Sequence, residues 1–154
     1  RNPANPNANK RRAAYITMME RLGLEPQIHK VDGVGWGFEE VGRLGALKLL
    51  EEKALKTDTI LCSNDRLAIG FLAGCYEAGV SVGRAPGCDI RVASHDDHPF
   101  SRFTCPSLTT AAHDYTSVSE NSVATLVRLI ENGGHLASRE EALFPARLVM
   151  RESA

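Results

Sequence analysis

The sequence has few of the features that mark membrane-bound, disulfide-stabilised or nucleic-acid-binding proteins. Among its 154 residues, no apolar run approaches the roughly 20 residues of a membrane span, and the start has no signal-peptide pattern. The four cysteines form no Cys-x-x-Cys pair, so we expect reduced, buried thiols of an intracellular protein, with neither a disulfide framework nor a zinc site. The 18 basic and 19 acidic residues are evenly mixed, which argues against a nucleic-acid groove or a membrane-binding surface in this chain.

Hydrophobic residues make up 43% of the chain, and their spacing alternates between helical and strand periods. The predicted elements, in chain order, are a helix from Asn7 or Asn9 to Gly23, a strand over 27–31, a helix over Phe38–Leu55, a strand over Thr59–Cys62, a helix over Arg66–Gly79 and a strand over Asp89–Ala93. This order predicts an α/β fold, a parallel sheet with helices on both faces. Gly70 and Gly74 predict a helix face pressed closely against the sheet. The first helix has no strand before it, so we expect the chain to be a piece of a larger protein.

Polar residues follow two of the predicted strands. Ser63-Asn64-Asp65 ends one strand, and the run His95-Asp96-Asp97-His98 ends the next. In parallel α/β sheets, ligands bind in the crevice beyond the carboxyl ends of the strands. We therefore expect Asp96 to face a pocket, and Asp97 to cap a turn that begins at Pro99.

Two other interpretations of the His-Asp-Asp-His run stay open. A metal site needs converging ligands, but neighbouring strand residues point to opposite faces, and His113 is the obvious outside candidate. A hydrolytic site needs a nucleophile and a separately oriented base, whereas Ser94, His95 and Asp96 are consecutive. Ser63 also lacks the glycine elbow that exposes a nucleophilic serine. Both interpretations are weaker than the pocket rim.

The motifs from Thr57 to Asp114 agree in order and spacing with those of a known family. They are Ser63-Asn64-Asp65, Ala68-Ile69-Gly70, Glu77-Ala78-Gly79, Asp96-Asp97 and Pro106 to Thr110, with Ala146 to Ser153 similar to a closing strand. In these the sequence resembles the effector-binding domain of LacI/GalR-type transcriptional regulators. The resemblance implies a two-lobed, periplasmic-binding-protein-like sensor with ligand between the lobes. Residues 1–110 would be the C-terminal lobe without its first strand, residues 111–145 a crossover segment of the N-terminal lobe, and residues 146–154 a return strand.

The resemblance also implies a set of ligand contacts. Arg11 matches the arginine of an R-x-x-G-[FWY] motif, in which Ala14 and Tyr15 stand here for the glycine and the aromatic residue. Further implied contacts are Asn64, Asp96, Trp36 with Phe38 as a fallback, Asn5, Asn7, and His113 in place of a glutamine. The alternatives are a surface charge for Arg11, a helix cap for Asn64, a core residue for Trp36 and a hinge histidine for His113. Ser94 and His95 replace the family's glycine and aromatic residue, which leaves the identity of the ligand open.

By this resemblance we expect the sensor half of a cytoplasmic, DNA-binding regulator that is not an enzyme and uses no metal or other cofactor. Its expected partners are a small carbohydrate-like effector, a second copy contacted through Phe100–Thr104 and Arg66–Ala78, and operator DNA through a domain absent from this chain. We expect no membrane partner. The alternatives are a periplasmic-type sugar-binding protein of a transport system and a metal-dependent hydrolase that uses His95, Asp96, Asp97 and His98.

Overall fold

The structure, a computed structural model, describes residues 6–31, 36–135 and 141–154. These residues form the helices α1 (Pro6–Arg21), α2 (Phe38–Glu51), α3 (Asp65–Glu77) and α4 (Tyr115–Glu131), a 3-10 helix (Pro99–Arg102), and the strands β1 (Thr59–Leu61), β2 (Arg91–His95), β3 (Thr109–Ala112) and β4 (Arg147–Val149). Within those ranges, no helix combines the length and apolar character that crossing a membrane requires.

The four strands form one sheet in the order β1-β2-β3-β4. β1, β2 and β3 run parallel, and β4 pairs antiparallel with β3. The predicted α/β class is therefore confirmed, with β4 as the one exception to parallel pairing. Because β1, β2 and β3 share a direction, the residues that follow them all lie at the same edge of the sheet. This edge carries Ser63, Asp96 and His113.

A close seam joins α2 to α3. A Cβ atom added at Gly70 would lie 1.8 Å from the Glu39 carbonyl oxygen, and one at Gly74 would lie 2.6 Å from the Arg43 carbonyl oxygen. The expected close approach of this glycine face is present, but its partner is α2 and not the sheet. The reason is that α2 presents its own small residues, Gly42 and Ala46, to the same seam. The core continues from there through Phe71, Leu72, Cys75, Ile90, Val92 and Leu108.

Two local predictions about the first 31 residues are wrong. α1 already begins at Pro6, whose fixed φ suits a first helical turn, so Asn7 and Asn9 lie inside the helix and do not cap it. Residues 27–31 form no strand, because no described strand lies alongside them and a cavity separates them from β1. The predicted end of α1 at Gly23 is confirmed: Gly23 has φ +69°, and the Leu24 N–H donates to the Met19 carbonyl.

The four cysteines are free thiols. Burial raises the pKa of Cys62 and of Cys75 to about 12, so both stay protonated and unreactive at neutral pH. Cys105, in contrast, is exposed. The expectation of buried thiols therefore fits Cys75 and not Cys105.

Candidate functional site

Arg11 of α1 joins the ends of two strands. Its Nη1 donates to the Ser63 carbonyl oxygen at 2.6 Å, and its Nη2 donates to Asp96 Oδ1 at 2.5 Å. Ser63 follows β1 and Asp96 follows β2, so one guanidinium spans the mouth of the crevice between them. Both side chains of the ion pair are about three-quarters buried, with 25% and 30% of their areas exposed. This pair puts a donor-rich and an acceptor-rich group side by side at the carboxyl edge of the sheet.

The turn that carries Asp96 has an unusual backbone. Asp96 and Asp97 have φ values of +112° and +51°, a region that residues with a side chain rarely occupy. Three contacts hold the turn in place: the Asp96 N–H donates to the Ala111 carbonyl at 2.9 Å, the Asp97 N–H to Thr110 Oγ1 at 3.3 Å, and Arg151 Nη2 to Asp97 Oδ1 at 2.6 Å. Arg151 also donates to the Leu108 carbonyl. Arg151, two residues after β4, thereby fixes the turn that presents Asp96.

The four residues of the His-Asp-Asp-His run lie in four different environments. β2 ends at His95, and the positive φ values that follow turn the chain away from a strand. The expectation that Asp97 caps the turn at Pro99 is wrong: Asp97 pairs with Arg151, and His98 Nδ1 accepts from the Phe100 N–H at the start of the 3-10 helix. Within the described ranges, no group of three or more His, Cys, Asp and Glu side chains is placed to hold a metal ion.

His113 lies against the Arg11–Asp96 pair. Its Nε2 is 3.3 Å from Arg11 Nη2 and 3.4 Å from Asp96 Oδ1. Arginine only donates, so Nε2 accepts from Arg11 when the ring proton is on Nδ1, and it donates to Asp96 when Nε2 itself carries a proton. Tyr115 packs its ring edge-on against His113, with 5.7 Å between centroids, and its hydroxyl donates to the Asp96 carbonyl at 3.4 Å. Burial, followed by the nearby Asp96 carboxylate, raises the pKa of Tyr115.

His95 stands at the wall of a cavity of about 630 Å³ that the sequence did not predict. The cavity lies between α1, residues 27–31 and the outer edge of β1, and Arg11, Leu67 and Phe71 also line it. Burial first, and repulsion from Arg11 second, lower the pKa of His95 below its ordinary 6.5. The imidazole is therefore neutral at neutral pH and adds no positive charge beside Arg11.

Asn64 is a helix cap. Its Oδ1 accepts from the Leu67 N–H at 2.9 Å and so begins α3. The cap uses the acceptor atom of the amide, which leaves the Nδ2 donor as the group that Asn64 can offer a ligand. Its neighbour Ser63 contacts Arg11 through the backbone, so Asn64 is next to the Arg11–Asp96 pair.

The other predicted contacts lie elsewhere. Asn7 is exposed on α1, four residues before Arg11 and so on the same face of the helix. Asn5 lies outside the described residues. Trp36 is 79% exposed, which excludes the core alternative for it, and it packs edge-on against Phe38 with ring centroids 5.8 Å apart. Direct contact among the predicted residues is thus seen for Arg11, Asp96 and His113. Their role in binding stays a prediction.

Several residues organise the site although no sequence pattern assigned them that role. Asp65 is fully buried and accepts hydrogen bonds from His98, Ser101 and Thr110. Arg151 and Tyr115 hold the Asp96 turn from the far end of the chain and from the start of α4. In the sequence these residues are distinguished only by lying in or near the motifs named above. No spacing pattern relates residues as far apart as Asp97 and Arg151, which are separated by 54 positions.

A family model described as a periplasmic binding protein-like domain matches residues 1–154. Among curated proteins, the lactose operon repressor of Escherichia coli (strain K12) is 31% identical over 117 residues, which are 76% of this chain and 29% of that repressor.

Two solved structures are similar over almost the whole chain. The lac repressor bound to ONPG in its repressed state has a TM-score of 0.81 and 26% identity, over 96% of this chain and 42% of that one. A LacI family transcriptional regulator from Arthrobacter sp. FB24, in complex with lactose, has a TM-score of 0.74 and 29% identity, over 92% of this chain and 49% of that one. In each of these three comparisons, the chain spans less than half of the matched protein.

Proposed function

We propose that this chain, which belongs to the periplasmic binding protein-like family, is the C-terminal portion of the effector-binding domain of a LacI-type transcriptional regulator, and that the cluster around Arg11 and Asp96 binds a small carbohydrate. The observation that carries the proposal is the Arg11–Asp96 ion pair, which brings α1 and the ends of β1 and β2 to one place. In proteins with a parallel α/β sheet, ligands bind at the carboxyl edge of the sheet, where this ion pair lies.

The chemistry of the pair suits a polyhydroxylated ligand. A carboxylate accepts several hydrogen bonds, so Asp96 can receive protons from two neighbouring hydroxyls while it stays beside Arg11. Arg11 carries more N–H groups than its two bonds to Ser63 and Asp96 use, and these can donate to hydroxyl or ring oxygens. Asn64 adds a donor and His113 adds either a donor or an acceptor, depending on its proton. Sugars are the common ligands that present such alternating donors and acceptors around one ring.

Asn5, Asn7 and Trp36 complete the proposed contact set. Asn7 shares the face of α1 that carries Arg11, and the exposed indole of Trp36 offers an apolar face on which a sugar ring could stack. Asn5 lies outside the described residues and belongs to the proposed set by its sequence position alone.

The proposed working unit is a homodimer that binds operator DNA through a domain absent from this chain. Tyr76, Phe100 and Phe103 are 86%, 66% and 74% exposed, and exposed aromatic side chains are enriched at protein interfaces. Asp65 at the start of α3 bonds to Ser101 of the 3-10 helix, so the helix that carries Phe100 lies beside the first turn of α3, whereas Tyr76 lies in the last turn of α3. Ligand binding would shift the dimer between two states by binding one of them more tightly.

The proposed division of the chain follows the sequence boundaries. Residues 1–110 and 146–154 form one lobe, which is supported by the pairing of β4 with β3 in the same sheet. The proposed crossover, residues 111–145, begins inside β3, whose Ala111 and Ala112 still pair with β4 of the first lobe, and the rest of this segment belongs to the other lobe. In support of this, α4 buries none of its residues although it carries an apolar face with Val123, Leu126, Val127 and Ile130 exposed. Such a face needs a partner in the whole protein.

The alternative functions receive less support. The matched relatives are repressors and regulators, which are not enzymes, and the His-Asp-Asp-His residues diverge within the described structure. A transport protein would share the fold and the pocket, but the relatives named above are transcriptional regulators. A cytoplasmic location follows from the regulatory role and is part of the proposal.

Binding is tested by thermal shift and isothermal titration of the protein with lactose, maltose, sucrose and ribose. At least one of these sugars should raise the melting temperature, and Asp96→Asn should weaken its binding about 10- to 150-fold, the range for losing hydrogen bonds to a charged group. Arg11→Met should have a comparable effect, because its guanidinium faces the same ligand.

The matched control is Asp58→Asn. Asp58 also forms an arginine ion pair, with Arg91 at 2.7 Å, but it joins the same two strands at their opposite ends. Sugar binding should therefore survive in Asp58→Asn. Equal binding by the parent, Asp96→Asn and Arg11→Met would refute the proposed pocket.

A further inference from the structure

We propose that Arg66 is a positioning residue that fixes the exposed ring of Trp36 relative to Asn64, so that a sugar ring meets a preset aromatic platform. The inference rests on the proposed function for its ligand but not for its geometry. It gives a specific task to Arg66, which the sequence resemblance placed only in the expected dimer contact Arg66–Ala78.

Arg66 holds the backbone at Trp36. Its guanidinium forms a forked pair with Glu39, Nε to Oε1 at 2.5 Å and Nη2 to Oε2 at 2.7 Å, and Nη2 also donates to the Trp36 carbonyl oxygen at 3.0 Å. The forked pair fixes the plane of the guanidinium, because both bonds are made by one rigid group. The bond to Trp36 is therefore made from a fixed donor.

Arg66 also holds the ring through Phe38. The Arg66 guanidinium carbon lies 5.2 Å from the centroid of the Phe38 ring, within the range of a cation–π contact. The Phe38 ring in turn meets the Trp36 indole at an angle of 88°, with centroids 5.8 Å apart. The Phe38 ring therefore contacts both the Trp36 indole and the Arg66 guanidinium.

The exposure of Trp36 indicates that this arrangement serves a contact and not burial. Trp36 is 79% exposed, so packing stabilises it little, and an indole with so few neighbours would ordinarily sample several rotamers. Arg66 comes two residues after Asn64, whose side chain caps the same helix. The start of α3 therefore sets both Asn64 and the support of Trp36.

Arg66 is not needed merely to link α2 to α3, because other contacts already join these two helices. Arg43 of α2 links the same two helices through carboxylates, with bonds to Glu40 and to Glu77 of α3. The close seam at Gly42 and Gly70 holds them as well. What distinguishes Arg66 from Arg43 is its contact with Trp36 and Phe38.

The test uses Trp36 as its own reporter, because it is the single tryptophan of the chain. Time-resolved fluorescence anisotropy is measured for the parent, Arg66→Met, Arg66→Lys and Arg43→Met. Arg66→Met should lose much of the slowly decaying component, since the indole then rotates locally on a nanosecond or faster timescale. Arg66→Lys keeps the charge but not the fork, so its value should lie between those of Arg66→Met and the parent. Arg43→Met should match the parent.

A second measurement connects the ring to the ligand. The change in Trp36 emission on adding lactose, maltose, sucrose or ribose gives a dissociation constant, which Arg66→Met should raise roughly tenfold if the platform is no longer preset. Unchanged anisotropy in both Arg66 variants, or an equal loss in Arg43→Met, would overturn the assignment. Reduced anisotropy with no response to any sugar would support the positioning role and count against the sugar-binding proposal.

Discussion

Replacing Asp65 with alanine should cost this domain a large part of its stability. The Asp65 carboxylate is fully buried at the start of α3 and receives three hydrogen bonds: from the His98 N–H at 2.8 Å, from Ser101 Oγ at 2.6 Å and from Thr110 Oγ1 at 2.7 Å. These partners belong to the loop after β2, to the 3-10 helix and to β3. One side chain therefore joins three elements around the turn that carries Asp96.

The magnitude follows from these bonds. A hydrogen bond to a charged group contributes roughly 1.5–3 kcal/mol, and each buried donor left without a partner costs about 1–3 kcal/mol. The relief of taking a buried charge away offsets part of the sum. We therefore expect Asp65→Ala to lower the free energy of unfolding by at least about 4 kcal/mol, against a total of about 5–15 kcal/mol for a typical domain.

Asparagine should restore much of this loss. Oδ2 of Asp65 receives two of the three bonds, and an amide oxygen in that position can keep both. The amide nitrogen would then face Thr110, whose hydroxyl can turn to accept. Asp65→Asn should therefore lower the free energy of unfolding by only about 1–2 kcal/mol, the difference between charged and neutral acceptors.

Urea unfolding followed by circular dichroism measures both changes. Asp89→Ala is a suitable control, because Asp89 also accepts from a serine hydroxyl and a backbone N–H but lies on the surface, where water replaces the lost bonds. Its effect should be much smaller than that of Asp65→Ala. If Asp65→Ala unfolds within 1 kcal/mol of the parent, as judged against the expected loss of about 4 kcal/mol, the reasoning from the three bonds is refuted.

Two further predictions concern pH and assembly. The pKa of His95 is lowered in the folded protein, so the unfolded chain takes up the proton first; stability should fall as pH drops below about 6.5 and stop falling below the folded pKa. Melting temperatures between pH 5 and pH 8 should show a flatter profile in His95→Gln than in the parent or in a variant of the exposed His29, and an unchanged profile would contradict this cause. Phe103→Ser should weaken self-association roughly 30-fold, as for a loss of about 2 kcal/mol at an interface hot spot, whereas Leu143→Ser, which is 87% exposed outside the helices, should not. Sedimentation equilibrium measures both variants, and equal association would argue against the aromatic face as the dimer surface.

The fold was largely predictable because its signals are local. The apolar spacing along α2 and α3 and the short apolar runs at β1 and β2 identify these elements without reference to the rest of the chain. Residues 27–31 have the composition of a strand, but a strand exists only through its neighbours, and none of the described strands lies beside them. The prediction that the Gly70 face packs against the sheet was wrong for a similar reason. Glycine spacing indicates a close approach but does not identify the element that approaches.

The sequence predicted which polar residues follow the strands at the candidate site, but it predicted their contacts less well. Asp96 and Asp97 contact different arginines, and the cap predicted for Asp97 at Pro99 is made by His98, because Asp97 is held by Arg151, 54 residues further along the chain. The support of Trp36 by Arg66 had no sequence signal either, since an arginine in the first turn of a helix is commonly a solvated charge.

The amino-acid sequence by itself determines that this protein has an α/β fold with polar residues after its parallel strands, because helix and strand periods and capping residues act over a few neighbouring positions. Tertiary structure alone decides that Arg11 reaches Asp96, 85 residues away, and that Asp65 and Arg151 hold the turn between them. The physical reason is that hydrogen bonds and ion pairs depend on distances of about 3 Å between atoms, and only the packing of helices on the sheet sets those distances for residues far apart in the chain.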